Sequence, residues 1–287
     1  MENKNNIEYM YSTAANKIEA KRLAGLNILH NPYTLSYLRP YLTGGKSILE
    51  LGCGSGHLAL DVMKLVDSST RYLGVDRDAA QVNNSSQLLK AYSNAEVMQL
   101  DVLEEFNRLK ERGPFDVIYC RWLLVHVPNA MRVEFLKNVL GLLSETGVFL
   151  CDECDNRTVQ FRQVVQGDTA TPYEKATRIW SDLSLALMGF LKNDLELTPE
   201  KITQSLLEAS NEKRVDIKVE GQYQIILRGS QQKRLITDGY RSSSDIIFKV
   251  YGKPIEDFID SFDVCVLDDN IECTFLTQNV VTCKLSP

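Results

Sequence analysis

The chain has 287 residues, 44% of them hydrophobic and 24% charged, a balance typical of a globular protein with a buried core. It contains no run of about 18 apolar residues, as a membrane-spanning helix requires, and no apolar signal segment at its start. We therefore expect a cytoplasmic protein without a membrane span. The net charge of −6 disfavours nucleic acid as substrate, because binding phosphates needs a basic surface.

The first 45 residues are predicted to form one or two helices, around Ala14–Ile28 and Asn31–Leu42. Residues 46–153 then alternate short apolar runs with amphipathic helical patterns, which predicts a mostly parallel sheet. The predicted strands are Ser47–Leu51, Arg71–Val75, Glu96–Leu100, Phe115–Cys120 and Gly147–Cys151, and the predicted helices are His57–Val66, Ala79–Tyr92 and Ala130–Leu143.

Residues 154–287 have a less regular pattern. Apolar residues at helical spacing predict a helix over Tyr173–Leu191, and Thr198-Pro199-Glu200 is typical of a helix start. The rest is predicted as a strand over Arg214–Leu227 interrupted at Gly221, helical pieces within Gln231–Leu267 and a closing strand over Glu272–Leu285. We expect a helical cap over 1–45, a binding core over 46–153, and a helical lid with C-terminal strands completing the same sheet over 154–287.

A glycine-rich loop, Gly52-Cys53-Gly54-Ser55-Gly56, follows the first predicted strand and leads into a helix. Glycines there let the main chain approach a ligand closely, although a tight turn alone would also explain them. Asp76 ends the second strand, where a carboxylate can accept hydrogen bonds from ribose hydroxyls, and Asp101 follows the third, placed for an adenine amino group. All three features would meet in one crevice at the carboxyl ends of parallel strands.

These segments together resemble class I S-adenosylmethionine-dependent methyltransferases. The matching segments are Leu49-Glu-Leu-Gly-Cys-Gly-Ser-Gly56, Tyr72-Leu-Gly-Val-Asp76, Gln99-Leu-Asp-Val102, Phe115-Asp-Val-Ile-Tyr-Cys120 and Leu142-Leu-Ser-Glu-Thr-Gly147. Arg121-Trp-Leu-Leu-Val-His126 resembles the corresponding segment of a subgroup acting largely on small molecules. The resemblance implies a Rossmann-like α/β fold with seven strands, the last antiparallel, and helical insertions after strands 5 and 6.

The resemblance also implies a cofactor, S-adenosylmethionine, with S-adenosylhomocysteine as product, and a site for it. Asp76 would bind the ribose, and Arg121 would lie beside the methionine end and the reaction centre. Arg22 would reach the cofactor carboxylate, although Leu26 stands where this subgroup commonly has a polar residue. The residues that the resemblance implies for cofactor binding are Tyr11, Arg22, Glu50, Gly52, Cys53, Gly54, Gly56, Asp76, Arg77, Asp101, Val102 and Arg121.

The chemistry leaves few candidate catalytic groups, because alignment and desolvation do most of the work in methyl transfer. His126 and Arg121 are the candidates; His126 is one of only three histidines and either acts as a base or simply packs. Asp152 and Glu153 would either orient a substrate amine or hydroxyl or be solvated. An aromatic wall of Trp122, Tyr9 and Tyr11 competes with core packing of Trp122.

The seven cysteines form an odd set without the spacing of a disulfide framework, so we expect free thiols. Cys120, Cys151 and Cys283 lie in predicted strands. The Cys151-Asp-Glu-Cys154 pair has no second pair and no nearby histidine, which favours strand-end packing over a zinc or redox site. We expect no metal.

Three other functions compete with small-molecule methylation. A nicotinamide-dependent oxidoreductase also has a glycine-rich turn, but its fingerprint is Gly-x-Gly-x-x-Gly, unlike the loop that starts at Gly52. A protein that binds S-adenosylmethionine or a partner without catalysis would retain the same loop. Protein methylation is the third, and the acceptor atom and oligomeric state stay open.

Overall fold

The computed structural model describes residues 17–163, 171–191, 196–211, 214–254 and 256–286. The chain divides into two compact units. The sheet unit contains His30–Cys154, Leu197–Gln222 and Gln278–Pro287. The insert unit contains Met1–Leu29, Asp155–Glu196 and Tyr223–Thr277. The predicted division at residues 45 and 153 stays a prediction.

The large sheet has seven strands: β1 (Ser47–Leu51), β2 (Arg71–Asp76), β3 (Ala95–Gln99), β4 (Phe115–Arg121), β5 (Leu143–Asp155), β7 (Val215–Tyr223) and β10 (Thr277–Leu285). Their order is β3-β2-β1-β4-β5-β10-β7, and β1 to β5 pair in parallel. The last strand is antiparallel, which confirms the predicted fold class. The strand order reverses between β1 and β4, and open α/β sheets bind their ligands outside the carboxyl ends at such a point.

The helices of the sheet unit are α2 (His57–Met63), α3 (Ala79–Leu89), α4 (Asn107–Lys110), α5 (Asn129–Gly141) and α7 (Pro199–Ser210), and α1 (Lys17–Leu38) belongs to it from His30 onward. Local signals set their ends: Asp78 caps α3 through the amides of Ala80 and Gln81, and Thr198 caps α7 with a proline in its first turn. Helix α5 packs against α7. Among the described residues, none of the helices is long and apolar enough to cross a membrane.

Helix α1 lies where the sequence predicted one or two helices, around Ala14–Ile28 and Asn31–Leu42. One continuous helix runs from Lys17 to Leu38 with Pro32 inside it. A proline removes one helical hydrogen bond, so something else must stabilise this turn. The neighbouring His30, Asn31 and Thr34 are buried, and Asn31 and Thr34 bond to Asp61 of α2 and Asp152 of β5, contacts that can stabilise this turn.

The insert unit has its own three-stranded antiparallel sheet, which the sequence did not predict. Its strands are β6 (Gln160–Gln163), β8 (Ile226–Leu227) and β9 (Ile271–Thr274), in the order β6-β9-β8. Its helices are α6 (Thr171–Leu191), α8 (Gly229–Ser242), α9 (Ser244–Tyr251) and α10 (Glu256–Leu267), as the helical patterns predicted.

The closing strand predicted over Glu272–Leu285 is wrong as a single element. Strand β9 ends at Thr274 and β10 begins at Thr277, and the two belong to different sheets. Between them, the Phe275 amide donates to the carbonyl of Ile225, which draws the chain out of the β9 pairing. Both halves contain β-branched residues and no glycine or proline separates them, so the sequence pattern contained no break at this place.

Candidate active site

The glycine loop between β1 and α2 has the backbone geometry that a close ligand approach requires. Gly54 has φ +51°, and a Cβ built there would meet nothing within 4 Å. Gly56 has φ +81°, and its Cβ would lie 3.0 Å from the Cα of Ser85. Left-handed angles favour glycine at both positions. The two glycines differ, however: Gly56 allows α2 to pack closely against Ser85, whereas Gly54 borders open space.

Asp76, at the end of β2, is held against this loop. Its carboxylate accepts hydrogen bonds from the amides of Gly54 and Asp78, both at 2.9 Å. Burial raises the pKa of Asp76, while the two amide donors oppose that shift. The loop and the carboxylate therefore form one rigid edge around the open space at Gly54.

Asp101 follows β3 and lies next to Arg77, with 3.9 Å between a guanidinium nitrogen of Arg77 and a carboxylate oxygen of Asp101. One Asp101 oxygen accepts from the Leu103 amide at 2.9 Å. Both side chains keep roughly a quarter of their surface exposed, 26% and 29%. Val102 is half-buried beside them. These groups remain accessible to a ligand.

One face of the sheet carries a polar stripe on four adjacent strands. The pairing of β1 with β2 and β4, and of β4 with β5, combined with the alternation of side chains along a strand, assigns these residues to the same face. The stripe consists of Tyr72, Glu50, Tyr119, Arg121 and Asp152. Buried polar groups need partners, and here they find them in one another and in α1.

Glu50 is the centre of this stripe and is 4% exposed. One of its oxygens, Oε2, accepts from the hydroxyls of Tyr72 at 2.5 Å and Tyr119 at 2.8 Å. Burial raises the pKa of Glu50 to about 7, against the opposing effect of the two tyrosine hydrogen bonds and of Arg121. The predicted binding residue Glu50 is thus a titratable group on the same face as Arg121.

Arg121, the last residue of β4, is fixed by α1. One guanidinium nitrogen, Nη1, donates to the Thr34 hydroxyl at 3.0 Å, and Nη2 donates to the Asn31 side-chain oxygen at 2.9 Å. The guanidinium also lies over the Trp122 ring, 4.8 Å from its centre. The Thr34 hydroxyl is 2.6 Å from an oxygen of Asp152. This cluster joins α1 to the ends of β4 and β5.

His30 and Trp122 form the aromatic part of the same cluster. The rings meet edge to face with 5.0 Å between centres, and the Trp122 indole donates to the Gln278 side chain at 2.7 Å. Burial and the nearby Arg121 charge lower the pKa of His30 to about 3, so His30 is neutral at physiological pH. Trp122 has a left-handed φ of 55°, uncommon for a bulky residue.

The sequence analysis did not identify His30, Asn31 and Thr34 as site residues. They lie on neighbouring turns of α1 and therefore share one helix face. Three buried polar residues on one face of a helix are unusual, but their spacing alone does not show that this face is buried. Only the fold shows that the face meets the ends of β4 and β5.

Glu153 lies on the opposite face of β5 from Asp152. One of its oxygens accepts from the amides of Leu123 and Leu124, both at 2.8 Å, and thereby fixes the turn after β4. Both carboxylates are fully buried, so the alternative that they are solvated is wrong, and they do not face the same crevice. Burial raises the pKa of Glu153 to about 7.

Next to Glu153 lie the thiols of Cys120 and Cys151, with the three potential ligand atoms within 4.8 Å of one another. Burial raises the pKa of both thiols, which opposes the thiolate form that a metal needs. All seven cysteines are free and buried, which confirms the prediction of free thiols. The expectation of no metal stays a prediction.

The remaining predicted site residues do not join the side-chain cluster around Arg121. Cys53 is 6% exposed with its side chain against Gly74, so it offers only its main chain to the crevice. His126 is half-buried and ends the short turn Leu124–His126. Arg22 belongs to the insert unit, where its side chain lies near Gly239. Tyr9 and Tyr11 lie outside the described residues.

Comparison with known proteins identifies the family. Residues 42–210, more than half of the chain, match a family model described as a methyltransferase domain. The chain belongs to this methyltransferase family. The match confirms the resemblance found in the glycine loop and the strand ends.

Curated relatives match the chain at modest identity. Methyltransferase str3 of Strobilurus tenacellus is 29% identical over 166 residues, which are 58% of this chain and 52% of that protein. A ubiquinone biosynthesis O-methyltransferase of Coxiella burnetii is 29% identical over 123 residues, 42% of this chain and 48% of that protein. A ribosomal protein L11 methyltransferase of Caldanaerobacter subterraneus is 27% identical over 139 residues, 46% and 42% respectively. The chain spans about half the length of these relatives.

Solved structures share the fold. The YcgJ protein of Bacillus subtilis superposes with a TM-score of 0.53 at 14% identity, covering 89% of this chain and 99% of that one. The complex of DhpI with SAH gives a TM-score of 0.51 at 15% identity, covering 98% and 97%. At these identities the likeness concerns the fold alone.

Proposed function

We propose that this chain transfers a methyl group from S-adenosylmethionine to an oxygen, nitrogen or carbon nucleophile of a small molecule in the cytoplasm. One observation carries the proposal: the Asp76 carboxylate is fixed beside Gly54, where the main chain borders open space. A nucleoside needs this combination of a bare backbone and a strand-end carboxylate. The family assignment supports the same reaction.

The residues present fit the cofactor. Asp76 would bind the ribose hydroxyls, and Asp101, Arg77 and Val102, which keep accessible surface, would hold the adenine. The backbone of Gly52, Cys53, Gly54 and Gly56 would border the ribose and the methionine portion. Glu50 and Arg121 would lie at the methionine end, where both charges of an amino acid need partners. Tyr11 and Arg22 stay predictions for the same end.

The bound cofactor supplies an electrophilic methyl group on a sulfonium, and the protein supplies alignment and a dry environment. Arg121 and Trp122 are held by α1 and by Gln278, so they form a preorganised wall. Preorganisation of this kind lowers the barrier to methyl transfer without a covalent step on the enzyme. A base is needed only for an acceptor whose proton has a high pKa.

A small molecule is the favoured acceptor because one relative, at 29% identity, is a ubiquinone biosynthesis O-methyltransferase, and because Arg121-Trp-Leu-Leu-Val-His126 resembles the corresponding segment of a subgroup acting largely on small molecules. Protein methylation is the competing function, suggested by the ribosomal protein L11 relative. An acceptor screen that measures release of S-adenosylhomocysteine separates the two. Release with small-molecule pools alone supports the proposal, and release with protein alone contradicts it.

Calorimetric titration with S-adenosylhomocysteine tests the cofactor site. Gly54→Val fills the open space and is expected to lower affinity more than about 100-fold, and Asp76→Ala about tenfold or more, because hydrogen bonds to charged groups are lost. Gly44→Val is the matched control, since Gly44 also has a left-handed φ (+77°) and open space, but precedes β1. Equal affinities for Gly54→Val and Gly44→Val would contradict the site.

His126 is the proposed base, and its replacement tests that role separately. His126→Ala is expected to reduce kcat by more than about tenfold while leaving the dissociation constant of S-adenosylhomocysteine unchanged, as a lost proton acceptor does. A kcat within about twofold of the parent would remove His126 from catalysis. The measurement uses the first acceptor that the screen identifies.

A further inference from the structure

The contacts of Arg121 with α1 form a continuous buried network. Thr34 is fully buried, and its hydroxyl lies between the Arg121 guanidinium at 3.0 Å and the Asp152 carboxylate at 2.6 Å. Asp152 is also fully buried. The hydroxyl therefore bridges a half-buried cation and a fully buried anion.

The direction of this bridge follows from the chemistry of its members. A guanidinium only donates hydrogen bonds, a carboxylate only accepts them, and a hydroxyl has one hydrogen. Thr34 must then accept from Arg121 and donate to Asp152. The carbonyl of His30, 3.3 Å away, competes poorly for the same hydrogen. Valine has the shape of threonine but performs neither function.

Asn31 connects the same guanidinium to the glycine-loop helix. Its side-chain oxygen accepts from Arg121 at 2.9 Å, and its amide nitrogen donates to Asp61 in α2 at 2.7 Å. Asn31 is 5% exposed. Helix α1 thus spans from the helix that follows the glycine loop to the ends of β4 and β5, with Arg121 in the middle.

We propose that Thr34 and Asn31 are positioning residues that hold the Arg121 guanidinium for the amino-acid end of the cofactor, with Asp152 acting through Thr34. This inference rests on the proposed function. It assigns a selective role: the network should affect ligands that carry the amino-acid group and leave the adenosine end unaffected. Asp76 is expected to behave in the opposite way, affecting every ligand with a ribose.

Two probes separate these effects. S-adenosylhomocysteine carries the amino-acid group, and 5′-methylthioadenosine shares the adenosine and the thioether without it. Thr34→Val is expected to lower the affinity for S-adenosylhomocysteine about tenfold, measured by calorimetry. The affinity for 5′-methylthioadenosine should stay within about twofold of the parent value. Thr34→Ser, which keeps the hydroxyl, should bind S-adenosylhomocysteine with the affinity of the parent protein. A purely structural role would weaken both probes alike.

Thr70→Val is the matched control. Thr70 is 1% exposed and directly precedes β2, at the opposite end of the strand from Asp76, and its hydroxyl makes no hydrogen bond within the described part of the chain. It is expected to leave both affinities unchanged. If Thr34→Val also leaves S-adenosylhomocysteine binding unchanged, or weakens both probes equally, the inference is overturned.

A double-mutant cycle tests whether Thr34 acts through Arg121. In an Arg121→Lys background, Thr34→Val should change S-adenosylhomocysteine affinity by less than about twofold, because the geometry it maintained is already lost. An undiminished tenfold effect would overturn the inference. Failure of the parent protein to bind either probe would instead contradict the proposed cofactor site, so the two failures are distinguishable.

Discussion

Glu50 and Glu153 are buried glutamates on opposite faces of the same sheet, and burial raises the pKa of each to about 7. Their hydrogen-bond donors differ. Glu50 accepts from two tyrosine hydroxyls, whereas Glu153 accepts from two consecutive backbone amides. The same residue type with the same pKa therefore belongs to two different kinds of environment.

This difference predicts different roles. A tyrosine hydroxyl rotates and can donate or accept, so the surroundings of Glu50 adapt when it gains or loses a proton. A backbone amide only donates, so Glu153 is a fixed anchor for the turn after β4. Glu50 also shares its face with Arg121, and Glu153 does not. We infer that a raised pKa alone does not identify a binding residue: the nature of the donors decides.

The largest loss in the free energy of unfolding is expected at Glu153, the fixed anchor of the turn after β4. Glu153→Leu leaves the amides of Leu123 and Leu124 without their acceptor and should lower the free energy of unfolding by about 4 kcal/mol. Glu153→Gln keeps an acceptor oxygen and should stay within about 1 kcal/mol of the parent at pH 8. Urea denaturation measures both. Equal losses in the two variants would show that the charge, and not the acceptor geometry, matters at this position.

A smaller, pH-dependent effect on the free energy of unfolding is expected at Glu50. Between its usual pKa of 4.5 and its folded-state value of about 7, the folded protein keeps a proton that the unfolded chain has lost. Unfolding then releases a proton, so the free energy of unfolding falls as pH rises through this window, by about 3 kcal/mol at most. Glu50→Gln removes this contribution.

The measurement is a pair of urea denaturation series at pH 5 and pH 8. Relative to the parent, Glu50→Gln should become more stable by about 2.5 kcal/mol from pH 5 to pH 8. Both proteins keep the pH dependence that comes from Glu153. Glu145→Gln, a change at an exposed position, is the control. A difference that does not vary with pH would mean that Glu50 stays ionised in the folded protein.

The strands of the large sheet show how much of the fold the sequence alone predicts. The core strands were predicted to within a few residues at most ends, because each is an apolar run bounded by turns, and the glycine loop marks the end of β1 without ambiguity. Strand β5 is longer than predicted on both sides: Asp152, Glu153 and Asp155 are polar, and a hydrophobicity pattern ends before them. Their burial depends on partners from other elements.

The site was predictable where it depends on local sequence. Gly54 and Asp76 are found at the predicted strand ends, and their contact follows from parallel strand pairing. The contribution of α1 was not predictable, because Asn31 and Thr34 acquire their role only through Arg121, about 90 residues later. Strand β6 escaped for another reason, because four residues give no periodicity. Strands β8 and β9 lay within longer predicted strands, and their separation from β7 and β10 was missed.

The smallest change in the free energy of unfolding is expected from the loss of one hydroxyl beside Glu50. Tyr72→Phe removes the donor at 2.5 Å and leaves Tyr119 in place, which should cost about 1 kcal/mol of unfolding free energy at pH 8. Because this donor favours the ionised glutamate, its loss should also move the Glu50 pKa further up. The pH window of the stability change then shifts to higher pH.

A double-mutant cycle with Glu50→Gln makes this last prediction specific. If the hydroxyl acts through the carboxylate, Tyr72→Phe in the Glu50→Gln background should leave the pH profile unchanged, and its cost at pH 8 should differ from that in the parent. Tyr119→Phe, which removes the longer bond, serves as the matched variant and should shift the profile in the same direction. A shift that persists without Glu50 would assign the titration to another group and remove the contrast between the adaptable and the fixed glutamate.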